Sequence, residues 1–156
     1  MKLLAFALFL AAGAHGAVPG GDACELIPRS RIAPILGSTK NLVIGTAKLP
    51  ATVTESKACT YAGQENVATV ILIKFDSPAS AREYLGTVRA GFEKKSLKTV
   101  NEKFDGEDGF SFNGGMLALK KNIVMRVNVR PRIPTEHGSV NPTLTRELLL
   151  AALQTN

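Results

Sequence analysis

Apolar positions recur along this chain in two rhythms, and their order lays out a fold before any other property is considered. Pro28 to Leu36 carries Ile32, Ile35 and Leu36 at helical intervals, and Gly37 supplies a stop. Asp22 and Glu25, just before it, have the spacing of a capping box. Pro34 limits the element to a short helix or two broken turns, because an interior proline removes a backbone donor. From Asn41 to Tyr61, β-branched residues alternate with breakers at Gly45 and Pro50, which predicts two short, irregular strands. Val67 to Phe75 is the strongest strand signal. Val67, Thr69, Ile71, Ile73 and Phe75 share one face and Ala68, Val70 and Leu72 the other, so both faces are apolar and the strand is predicted to be central.

Ser77-Pro78 then caps and opens a helix with Ala81, Tyr84, Leu85 and Val88 on its apolar side, predicted to end near Gly91. A basic stretch, Glu93 to Lys98, leads through Thr99 and Val100 to Phe104 and an acidic loop, Asp105 to Gly109. Gly109–Phe112, Met116–Leu119 and Ile123–Val129 are predicted as three antiparallel strands joined by Asn113-Gly114-Gly115 and Lys120-Lys121-Asn122. A Pro-rich connection from Pro131 to Pro142 precedes a last helix, capped by Asn141, with Leu144, Leu148, Ala151 and Ala152 on its buried side. Hairpins rather than βαβ units separate the helices. The predicted class is α+β, an antiparallel sheet flanked by helices.

The N-terminus changes the compartment. Lys2 precedes an apolar run that ends in small residues well short of the ~20 residues a bilayer requires, the form of a secretory signal. The reading assigns residues 1–17 to the signal and residues 18–156 to a single exported domain, periplasmic or secreted, with no transmembrane segment once the signal is removed. Cys24 and Cys59 are the only two cysteines. In an oxidising compartment they are predicted to form one disulfide that staples the domain. Closing that loop stabilises a chain by about 4 kcal/mol in the entropy model.

Lipidation of Cys24 is not expected, since Gly20-Gly21-Asp22-Ala23 places a polar gap between Leu10 and Cys24 where a lipoprotein signal is apolar. Taken together, C-E-L-I-P-x-S-x-I-x-x-I-L-G, then C-T-Y, an apolar strand and the S-P-A-S-A-R-E-Y-L helix resemble a broad group of small exported bacterial domains of unknown function. Many actinobacterial members of that group are lipoproteins, from which the missing apolar approach to Cys24 is a departure. The resemblance implies a sheet flanked by helices, like that of the extrinsic photosystem PsbP subunit and its relatives. It carries no catalytic residue to any position here.

Charge and candidate chemistry narrow the function little further. Lys and Arg number 19 against 13 Asp and Glu, a net charge of +6 that suits an anionic partner and ordinary solubility alike. An envelope protein or an anionic ligand is the candidate partner; nucleic acid is not expected without an aromatic-basic motif. The two histidines are His15, in the signal region, and His137, in a Pro/Gly-rich loop, so no nucleophile-base set is apparent and the protein is read as non-enzymatic. No cofactor or transition-metal site is implied, and Asp105, Glu107 and Asp108 lack the ligand count of a calcium loop.

The remaining feature is the strand Ile123 to Arg130. Ile123, Met125, Val127 and Val129 alternate toward the core, which sets Arg126, Asn128 and Arg130 in a row on the opposite face. Two guanidinium groups there would grip an extended anion or an acidic protein edge, with Lys120, Lys121 and Arg132 close enough in sequence to enlarge the patch. The plain alternative is a solvated face whose arginines pair with cross-strand carboxylates. Tyr61 and Tyr84 are further candidates for a recognition surface, Tyr84 lying on the apolar side of its helix. Three functional classes follow: a binding or accessory protein using the row, an inhibitor or immunity-type partner of an envelope-acting enzyme, and a hydrolase resting on His137.

Overall fold

The segment with the strongest strand pattern lies inside the sheet, as its two apolar faces require. The computed structural model describes residues 27–37, 43–46, 56–133 and 140–155. In it β3 (Asn66–Lys74) pairs antiparallel with β2 (Ser56–Ala62) on one side and β7 (Ile123–Pro131) on the other. β1 (Val43–Thr46) extends the sheet beyond β2, while β6 (Gly115–Lys120), β5 (Glu107–Phe112) and β4 (Thr99–Phe104) extend it beyond β7. Among the described residues the sheet has seven strands in the order β1-β2-β3-β7-β6-β5-β4, every neighbouring pair antiparallel. Helices cover both faces, and the class is α+β.

On one face, α1 (Arg29–Leu36) and α3 (Pro142–Gln154) pack over Ala68, Val70 and Leu72 of β3 and Met125, Val127 and Val129 of β7. The strand parity expected from the sequence is the one observed. Pro34 sits inside α1 without ending it, and Gly37 closes the helix in the left-handed conformation at φ 87°. Asn141 caps α3 by accepting from the Leu144 amide at 3.1 Å. One turn on, the fully buried Thr145 hydroxyl donates to the Asn141 carbonyl at 2.6 Å and accepts from the Val129 amide at 2.9 Å, tying helix to sheet.

On the other face, α2 (Pro78–Lys94) packs Ala81 and Leu85 against Ile73, Phe110, Leu117, Leu119 and Val124. It runs past Gly91, where the sequence predicts a stop. Phe92 explains the extension, because its ring stacks on Phe112 at 4.5 Å between centroids and meets Phe110 edge-on at 6.1 Å. Burying that aromatic outweighs the roughly 1 kcal/mol that a helical glycine costs.

Further expectations are corrected. Thr99 to Phe104 is not a lead-in but the edge strand β4, of which only Phe104 is buried, so its weak alternation leaves little to read. The predicted acidic loop is a two-residue turn: Asp105 and Gly106 both have positive φ, 52° and 84°, the geometry that favours Asp-Gly in tight hairpins, and Glu107 to Gly109 already belong to β5. Tyr61 is fully buried beneath α1 and α3 and offers nothing to a recognition surface.

Cys59 is fully buried on β2. Its predicted partner Cys24 lies outside the described residues, as do the signal region, the pair Asp22 and Glu25, and His137. No helix among the described residues is long and apolar enough to cross a membrane.

Candidate functional site

β7 places Arg126, Asn128 and Arg130 on the α2 face of the sheet, opposite the buried Met125, Val127 and Val129. At about 3.3 Å per residue the row extends for roughly 13 Å from Arg126 to Arg130. The register supplies the neighbours. Arg126 lies between Ile71 of β3 and Leu117 of β6, Asn128 is beside Thr69, and Arg130 is beside Val67. None of these is a carboxylate, so the cross-strand ion pairs of a plain solvated face are not formed at these positions.

The row is graded in burial. Arg126 is half-buried, Asn128 is half-buried, and Arg130 is exposed. The Arg126 guanidinium carbon stands 5.2 Å from the centroid of the Phe112 ring, a cation–π contact. Its Nε is buried and has no hydrogen-bond partner among the described residues. Burial lowers the pKa of this group below the ordinary arginine value, and the nearby Tyr84 phenol acts in the opposite sense. Tyr84 is half-buried at the side of α2, with its ring 5.0 Å from that of Phe75.

The expected enlargement of the patch does not occur. Lys120 points to the opposite face, where its Nζ donates to the Leu153 carbonyl at the end of α3. Lys121 sits in the turn before Ile123, at the far end of β7 from Arg130. Arg132 is engaged in a loop lock, its Nη1 donating to the Gly63 carbonyl at 3.1 Å and its amide to the Glu65 carbonyl at 2.8 Å. The row therefore stands with Phe112 and Tyr84 as its aromatic surroundings. The sequence pattern places neither beside it, since Phe112 reaches Arg126 only through the register of three strands.

A cavity of about 440 Å³ lies elsewhere, between the start of α3 and the ends of β4, β5 and β6. There Arg146 pairs with Glu102 and lies 5.0 Å from the Phe104 ring centroid, so its charge is already answered. No group of three or more His, Cys, Asp or Glu that could hold a metal ion occurs among the described residues. Glu107 and Asp108 illustrate why, because successive strand residues project to opposite faces. No protein-family model matches the chain, and no curated protein or solved structure matches it significantly.

Proposed function

We propose that this protein is an exported, non-enzymatic binding domain that grips an anionic group, on a ligand or on an envelope protein, through Arg126, Asn128 and Arg130. The observation that carries the reading is the buried Nε of Arg126, a charged donor with no acceptor among the described residues. A buried donor left unpaired costs a fold about 1–3 kcal/mol, and an anion delivered by a partner would remove that cost. The absence of carboxylates from the cross-strand positions supports the same reading, as does the exposure of Arg130, which leaves one end of the row open to a partner. Arginine suits the role because its planar fork can meet two oxygens at once.

The same proposal includes the disulfide between Cys24 and Cys59. Ile27, three positions after Cys24 in the chain, belongs to the same buried cluster as Cys59, which supports the pairing. Likeness to the small exported domains with a PsbP-like sheet belongs to this reading too. Affinity capture from the native envelope fraction, analysed by mass spectrometry for proteins and for anionic lipids or glycans, tests the site. The double variant Arg126→Ala/Arg130→Ala should lose the captured partner while melting normally. Unchanged capture would remove the proposed site.

A further inference from the structure

A second basic flank borders α2 on the side away from the arginine row. A groove of about 420 Å³ runs between α2 and the β4–β5 hairpin, with Arg82 and Arg89 on the helix wall and Asn101, Lys103 and Asp108 on the sheet wall. Arg89 is held in place, its Nη1 donating to Asn101 at 2.6 Å and its Nε lying 3.3 Å from Glu93. Lys103 pairs with Asp108, and Arg82 makes no hydrogen bond or ion pair with any described residue. Three cations thus face the groove; Arg89 is answered by Glu93 and Lys103 by Asp108, and Glu102 is committed to Arg146, so the charge left over among the described residues is that of Arg82.

The sheet wall of this groove is also an open edge. β4 ends the strand order and pairs only with β5 among the described residues, so its outer row of backbone N–H and C=O groups has no strand partner. Its side chains alternate between two environments. Asn101 and Lys103 face the basic groove, whereas Val100, 48% exposed, lies on the α3 side.

We propose that this edge is a docking strand: an extended segment of a partner protein pairs with β4 as an eighth strand, with acidic residues at alternate positions facing Lys103, Arg82 and Arg89 and an apolar residue against Val100. Backbone hydrogen bonds along the open edge would supply affinity, and alternate side chains would supply selectivity. A second copy of the chain fits this edge poorly, since it would bring its own Arg82, Arg89 and Lys103 to a surface that is already positive. The proposal is independent of the arginine row, which lies on the other flank of α2.

The test is fluorescence anisotropy of the purified protein with a labelled peptide of about eight residues in which Glu and Val alternate. Saturable binding is expected, weakened about ten-fold by Lys103→Glu or Arg82→Glu, reduced by added salt, and unchanged in Arg126→Ala/Arg130→Ala. Binding should disappear when alternate peptide nitrogens are methylated, because strand pairing then loses its donors. Lys103→Gln keeps the test readable if charge reversal disturbs folding. Lack of saturation, equal binding of a Gln-for-Glu peptide, or retained binding of the methylated peptide would overturn the proposal. Loss of binding only in the Arg126/Arg130 variant would overturn it as well, by moving the contact to the other flank.

Discussion

Replacing Arg126 with methionine should stabilise this protein while removing the proposed grip on anions. The wild-type side chain carries a buried Nε without an acceptor among the described residues, a defect worth about 1–3 kcal/mol when fully desolvated. Arg126 is only half-buried, so the lower end of that range applies, about 1 kcal/mol. Two further terms nearly cancel. The contact with Phe112 contributes about 0.5–1 kcal/mol and is lost, but methionine keeps the aliphatic stem and offers the ring a thioether contact of similar size. The net expectation is a gain of about 1 kcal/mol, or a rise in Tm of roughly 3 °C for a chain of this size. Burial lowers the folded-state pKa of Arg126, so the penalty on its charged form is complete at all pH values below that pKa and disappears only as pH rises through it. The gain should therefore be constant across neutral pH. Urea unfolding with unchanged m-value, paired with thermal melts, measures it, and Arg130→Met provides an exposed control expected within about 0.5 kcal/mol of wild type. If Arg126→Met lowers stability by more than about 0.5 kcal/mol, the guanidinium is a structural member of the fold and the case for an unsatisfied binding group fails.

Three other expectations follow from the same contacts. Thr145→Val should cost about 2 kcal/mol, because the Val129 amide loses its buried acceptor, and Thr145→Ser should recover most of that loss in urea unfolding. Asp108 has its pKa lowered, first by the hydrogen bond from Lys103 and then by the charges of Lys103 and Arg82. Its contribution to stability is thus complete above the ordinary aspartate value of 3.8 and is lost as pH falls through the lowered folded value, so Asp108→Asn should flatten the acid limb of the stability curve; parallel curves for variant and wild type would contradict this. Reduction, or Cys59→Ala, should remove about 4 kcal/mol if the proposed bridge is present, with the linked Cys24 and Cys59 peptides visible in a non-reducing digest.

The layout of this fold is legible wherever one residue's environment is decided by its own strand or helix. Val70 and Val127 are buried by simple alternation, Asn141 caps α3 through its own side chain, and the row from Arg126 to Arg130 shares a face because period two demands it. What stays hidden depends on which strands become neighbours. The half-burial of Arg126 follows from the insertion of β7 between β3 and β6, a pairing that brings Ile71 and Leu117 to its sides from distant parts of the chain. β4 is hidden for a different reason. An edge strand with one buried side chain has almost no pattern, and its one clear signal is the Asp105-Gly106 turn that follows it. Tyr61 misleads because a tyrosine before a turn reads equally as core or surface until its strand is paired.

The strand order also has a kinetic meaning. β1 to β3 form one run of hairpins and β4 to β7 another, each built from neighbours in sequence, and the two runs meet only at the pairing of β3 with β7. That seam joins Asn66 to Pro131 and Lys74 to Ile123, so its closure must wait for a long loop to be drawn in, after the local hairpins can already exist. A chain emerging from its N-terminus presents the whole first run with β3 as an unpaired apolar edge until Ile123 and the residues beyond it have followed. The sheet cannot become continuous while the part of the chain from Ile123 onward is missing, which keeps an incomplete chain from locking into its final form.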